Sequence, residues 1–205
     1  MKVNVLAVAL YAALGCGVAA AQNAAEGSLM IRLRGVQIDT ANKSDPVAGT
    51  GASDRIHVSK KTIPDIDISY FFTRNIAAEL VLTYPQKHEV TLDGANIGSF
   101  KHLPPTLTVQ YHFLPEGVFR PYVGAGVNLT LISDVNLLDG AGSLDHYSIG
   151  YALQAGADIK IAKNLFLNFD VKKVQIQSDV KAGGSKISAV QIDPWLYGVG
   201  IGWRF

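Results

Sequence analysis

Charged residues recur at two-residue spacing in this chain: Arg32 and Arg34, Asp65 and Asp67, Asp170 and Lys172, with Glu79 and Asp158 standing singly. Residues two apart point to the same face of a β-strand. Each pair therefore shares one environment, and an enclosed environment tolerates charges only when they are paired. Both signs are present and balance, so the expected chemistry is mutual neutralisation: a plug in the lower part of an enclosed space, in preference to an ion-selective filter. The five histidines (His57, His88, His102, His112, His146) are dispersed, and the single cysteine, Cys16, cannot supply a multi-thiolate site. No metal and no cofactor are expected. The formal charge of +1 leaves no electrostatic footprint for nucleic acid.

The elements that must carry these residues are strands. Leu107, Val109, Tyr111 and Phe113 alternate with Thr106, Thr108, Gln110 and His112. The same period of two runs through Val123 to Leu131, Ser148 to Ile159 and Trp195 to Phe205, and more weakly through 29–38, 63–72, 76–84 and 165–176. That makes eight strands. The apolar set changes phase after Arg34-Gly35 and again near Lys172-Lys173, which predicts a β-bulge at each place. Helical periodicity is nearly absent. Connections alternate in length: 73–75, 114–120 and 162–164 are short, whereas 39–62, 85–103, 133–146 and 177–192 are long and polar. Short turns at one end and long loops at the other, on an even number of strands, are the signature of an outer-membrane β-barrel.

Residues 1–21 read as a cleaved secretory signal peptide: Lys2, an apolar stretch through about Leu14, then Ala19 and Ala21 before the cleavage point. Lipid attachment at Cys16 is the competing reading, but Ala13 stands where such sites carry leucine. The barrel domain is then 22–205, in the bacterial outer membrane. A soluble sandwich would fill its polar rows with Lys and Glu. Here those rows are Gly, Ser, Thr and Gln with isolated charges, a composition suited to a narrow lumen, while the bulky rows suit lipid. Hydrocarbon cannot hydrogen-bond an open sheet edge, so the sheet must close. Tyr70, Phe72, Tyr84, Tyr111, Phe113, Trp195, Trp203 and Phe205 lie near strand ends, as interfacial girdles do.

Longer strings are more specific. Thr83-Tyr84-Pro85 with His88, His102-Leu103-Pro104-Pro105-Thr106-Leu107, Phe119-Arg120-Pro121-Tyr122-Val123-Gly124-Ala125-Gly126-Val127-Asn128, Ile192-Asp193-Pro194-Trp195 and the terminal Gly202-Trp203-Arg204-Phe205 occur in order. Together they resemble the OmpW family of eight-stranded outer-membrane proteins over nearly all of 28–205. Trp203 replaces a common Tyr and Leu129 a common aromatic. The resemblance implies a narrow channel for passive uptake of small hydrophobic molecules past the polar lipopolysaccharide layer, with sideways exit into the bilayer, and no enzyme activity. The final aromatics Trp203 and Phe205 look like the signal read by the barrel-insertion machinery.

Reading the inward rows, the upper interior presents Val81, Ile132, Leu196, Thr83, Thr106 and Thr108. With Phe100 and Leu103 from the second long loop these form an expected apolar vestibule for the solute. Pro85 ends the third strand and has no N–H for the ladder; by family resemblance it marks a lateral opening, and the plainer alternative is an ordinary strand end. Two other functions compete. Surface loops serve phages and toxins as receptors, which makes a structural or receptor barrel the alternative. Some eight-stranded barrels hydrolyse lipid A with a His and Ser two apart, the spacing of His146 and Ser148; both are expected to point inward, but no third group is evident to orient the histidine.

Overall fold

The computed structural model describes residues 26–205. The expected signal peptide, 1–21, lies outside the described residues. Eight long strands form the wall: β1 (Leu29–Asp39), β2 (Lys61–Phe71), β3 (Ile76–Leu82), β4 (Thr106–His112), β5 (Phe119–Leu137), β6 (Tyr147–Lys160), β7 (Leu165–Val174) and β8 (Trp195–Arg204). Each pairs antiparallel with its neighbour in sequence, and β1 pairs with β8 in the register Leu33↔Ile201, so the sheet closes on itself. Closure removes the edges that a bilayer would leave unbonded. Among the described residues no helix is long and apolar enough to cross a membrane; the crossing elements are strands.

Alternation decides which residue meets what. Leu33, Val109, Val127 and Ile149 are exposed on the outside, Ile149 at 71%, while their sequence neighbours Arg32, Thr108 and Asn128 are at most 1% exposed. Tyr70 and Phe72, and likewise Tyr111 and Phe113, meet edge-to-face at the end that carries the short turns. Trp203 and Phe205 lie at that end too, because Trp203 pairs with Ile31 and Leu165. Trp195 stands at the opposite end, opposite Asp39.

The two expected bulges are absent. Burial alternates without interruption along β1 and β7, and their ladders run in single registers through Gly35 and through Lys172-Lys173. What changes is the lumen. Below, the inward row carries Arg32 and Arg34; above, in the same phase, it carries Val36 and Ile38, all four buried. Asp170 and Lys172 give way to Val174 and Ile176 in the same manner. The apparent slip in hydrophobicity is a boundary between a polar and an apolar interior, present on both strands.

Two of the long connections are not irregular. Gln86–Leu92 and Ala95–Leu103 form a hairpin, as do Gln177–Ala182 and Ser185–Gln191. Their turns are Asp93-Gly94 and Gly183-Gly184, with positive φ at all four residues, the backbone of the tight turn that matches strand twist. These hairpins, with the upper part of β5, extend the wall on the long-loop side. Beneath them lies an apolar cluster that includes Ile56, Phe100, Ile132, Leu137, Ile176 and Val190.

Candidate functional site

The lower lumen is filled by a single ion-pair network to which seven of the eight strands contribute. Arg32 donates to Asp158 at 2.7 Å, to Asp67 at 3.0 Å and to Ser69 at 2.7 Å. Arg34 reaches Asp65 at 3.1 Å and Asp67 at 3.0 Å. Lys172 donates to Glu79 at 2.8 Å. The eight charges expected to meet are all here and all buried. Their signs do not balance, contrary to the expectation: three cations face five carboxylates. Neutral donors missed by sequence reasoning take up the difference. Gln110 and Gln154 donate to Glu79, Gln154 and the Tyr122 hydroxyl to Asp170, and Asn168 to Asp158, all within 3.0 Å. Charge-assisted hydrogen bonds of this kind are roughly twice as strong as neutral ones.

Strand β8 contributes space to this network. A Cβ at Gly200 would lie 2.7 Å from Cγ of Arg34, and one at Gly202 would lie 3.0 Å from Cγ of Arg32. On the far side a Cβ at Gly156 would fall 2.5 Å from the Tyr122 ring. The inward glycines are where the arginine and tyrosine side chains lie.

Below the network, at the short-turn mouth, Glu26 accepts from Arg120 at 2.9 Å and from Lys160, and lies 3.6 Å from Arg204. The Arg120 guanidinium, with Lys160 beside it, holds the Glu26 carboxyl down at about 2 against the opposing effect of burial. Here three cations meet one carboxylate, an excess opposite to that in the plug. Arg204 also stacks on Phe71, 3.8 Å from the ring centroid.

Above the plug the lumen becomes apolar. A cavity of about 40 Å³ lies over Arg34, Asp65, Asp170 and Lys172 and is walled chiefly by Val36, Ile38, Ile63, Val81, Val174 and Leu196. Thr83, His102 and Thr106 line one side of it. Val81, Thr83 and Leu196 thus share one cavity. Phe100 and Ile132 lie in the apolar cluster above. Leu103 does not join them: it pairs with Leu131 and stands out of phase with buried His102, which occupies the lining position instead. Contrary to the expectation for Leu103, the alternation of 95–103 turns His102 inward and Leu103 away. His146 is exposed, and among the described residues no side-chain hydrogen bond engages it; Ser148 is half-buried and accepts from Gln177 N. Contrary to the expected inward pair, His146 precedes β6 and leaves its alternation.

Beside the cavity the wall ladder is interrupted. β2 and β3 pair as far as Ile66↔Leu82, but no ladder pair joins Lys61–Asp65 to residues 83–87. Pairing resumes higher, at Val58↔Val90. Extending the lower register would set Pro64 opposite Tyr84 and Pro85 opposite Ile63. Pro64 has no N–H to give Tyr84 across that ladder, so a donor is missing there. Pro85 falls at a position whose nitrogen faces away from β2, since Phe72 bonds Ile76 whereas His112 bonds Asn75. Pro85 itself is exposed, outside the cavity.

This arrangement has known counterparts. The OmpW family model matches residues 25–205. The uncharacterized outer-membrane protein y4mB of Sinorhizobium fredii is 43% identical over 182 residues, covering 85% of this chain and 79% of that one. Outer membrane protein W of Vibrio cholerae is 32% identical over 223 residues, covering all of both chains. Among solved structures, the outer membrane protein OprG of Pseudomonas aeruginosa superposes with a TM-score of 0.78 at 25% identity, over 88% of this chain and 97% of that one. A closed eight-stranded wall with an outward apolar row, together with a family match over the whole described chain, assigns it: the protein is an outer-membrane β-barrel that belongs to the OmpW family.

Proposed function

We propose that the barrel is a passive channel for small hydrophobic molecules, which enter the apolar upper lumen from the extracellular side and leave sideways into the bilayer beside Pro85. The observation that carries this reading is the juxtaposition of three features: an apolar cavity, a floor of paired charges and a break in the wall at the level between them. A hydrophobic molecule gains nothing by descending, because entering the plug would separate buried ion pairs whose loss costs several kcal/mol. The gap between 61–65 and 83–87 offers lipid at the same height. The polar lipopolysaccharide layer is bypassed from within the lumen. A volume of about 40 Å³ holds about three waters, less than a solute, so entry requires the apolar cluster under the extracellular hairpins to part. Contacts there are non-directional and can be exchanged for contacts with the solute. No chemical step enters the proposal, and Trp203 and Phe205, exposed on the outer face of β8, remain free to serve barrel insertion.

The test is uptake of a hydrophobic tracer by proteoliposomes bearing lipopolysaccharide. Replacing both Val81 and Leu196 with Asp is expected to lower uptake at least about tenfold, since an unpaired charge in an apolar site costs well over 1.4 kcal/mol. Pro85→Val, which frees the backbone from proline's fixed φ and supplies a β-former, is expected to lower it severalfold. Uptake unchanged in both would rule out this route.

A further inference from the structure

Seven buried side-chain atoms of the described residues have no hydrogen-bond partner within the protein, and four of them lie together: Thr83 Oγ1, Gln86 Oε1, His88 Nε2 and His102 Nδ1. Gln86 and His88 are fully buried and His102 is 3% exposed. Gln86 pairs with His102 across the hairpin. The two imidazoles stack, with centroids 4.7 Å apart and planes 12° from parallel. Thr83 and His102 line the apolar cavity; Gln86 and His88 lie behind them, toward the break in the wall, where His88 Nδ1 meets Ser59 O at 2.8 Å. Unpartnered polar atoms thus mark the way from the cavity to the gap.

The chemistry of these atoms states what is missing. The Ser59 carbonyl can only accept, so His88 carries its proton on Nδ1 and Nε2 presents a lone pair. Gln86 uses its amide N–H₂ on Tyr84 O and leaves the oxygen free. His88 and His102 are both buried, which disfavours the charged form of each ring. A neutral imidazole offers one acceptor, and on His88 it is Nε2. Each buried polar atom without a partner costs about 1–3 kcal/mol. Gln86 Oε1 and His88 Nε2 accept, and Thr83 Oγ1 and His102 Nδ1 can pair with a group that both donates and accepts, so the cluster favours a ligand that carries a donor. A single metal ion is a poor match. A ring nitrogen's lone pair lies in the plane of its ring, and two nearly parallel stacked planes share no point at bonding distance from both nitrogens.

We propose that Thr83, Gln86, His88 and His102 form a hydrogen-bonding station for the hydroxyl group of an otherwise apolar solute, an alcohol or a phenol, on its way from the cavity to the lateral gap. The inference deepens the channel reading above and rests on it for the route, but not for the binding. The station favours a hydroxylated molecule over the hydrocarbon of the same size, because a hydrocarbon that fills the site leaves these polar atoms unpaired.

Phenol and toluene make a size-matched pair. Each is titrated into the protein in lipid nanodiscs while the imidazole ¹⁵N resonances are followed, and uptake of each is measured in the proteoliposomes described above. Phenol is expected to shift the unpartnered ring nitrogens of His88 and His102 at concentrations about tenfold below those at which toluene acts. In H88F/H102F the phenol-to-toluene uptake ratio is expected to fall by a similar factor. An equal response to the two compounds, or a response to neither, overturns the station. If the double variant does not fold, the wild-type titration decides alone. Phenol-specific shifts in a barrel that admits neither compound faster than protein-free vesicles would uphold the station and overturn the channel.

Discussion

The lower and upper halves of the lumen are built on the same strands in the same register, yet they hold opposite contents. Below, Arg32, Arg34 and Lys172 pair with Asp65, Asp67, Glu79, Asp158 and Asp170 in one buried network. Above, Val36, Ile38, Ile63 and Val81 surround a cavity, and the unsatisfied polar atoms gather at its side. Backbone geometry is indifferent to this division. In an eight-stranded barrel the inward rows nearly fill the interior, so the identity of each inward residue sets whether a level is a seal or a site.

Substitutions at matched positions of β1 separate the two halves. Arg32→Met removes the cation that Asp67 and Asp158 share and leaves both carboxylates buried without it. It is expected to cost about 3–5 kcal/mol, read as the urea midpoint of tryptophan fluorescence in lipid vesicles. A change below about 1 kcal/mol would mean that the plug is not held by its ion pairs. Six residues on, Ile38→Ala is expected to cost about 2 kcal/mol, near the low end for a buried truncation, since the site borders an existing cavity. The same substitution should raise tracer uptake by enlarging the vestibule, an effect that Arg32→Met should not mimic at matched barrel content.

The smallest effect belongs to the mouth. Glu26→Gln is expected to cost about 1 kcal/mol at pH 7, because the group is partly solvated. The carboxyl's folded value of about 2 lies below the ordinary 4.5, so its contribution is present above pH 4.5 and is lost as pH falls toward 2. Wild type and variant should therefore converge across that interval in the same urea experiment. A gap that persists at pH 2 would mean that shape, and not charge, ties Glu26 to Arg120 and Lys160.

Most of the wall was legible in the chain because alternation is a local property. Each of the eight expected strands coincides with a strand of the barrel, and every charge assigned to the plug is in it. Hydrophobicity alone does not tell which side of a strand faces lipid. At Val36, Ile38, Val174 and Ile176 the apolar residue faces inward, so a change of lumen looked like a change of strand phase. The hairpins at 86–103 and 177–191 carried a readable signal, Asp93-Gly94 and Gly183-Gly184 between alternating runs. The phase of the first hairpin puts His102, and not Leu103, in the cavity lining. Gln110, Tyr122, Gln154 and Asn168 had no such signal, since an inward amide or phenol is ordinary in a narrow barrel and gains its role from what lies across the lumen.

The amino-acid order alone determined the strands, their outward apolar rows and the enclosure that lipid demands, because side-chain direction in a strand follows from position within a few residues. Partnership was decided only in three dimensions. Arg32 meets Asp158 across 126 positions of chain, Lys172 meets Glu79 across 93, and Tyr122 meets Asp170 across 48. These contacts depend on how the sheet is sheared and closed, and no local pattern in the chain encodes that.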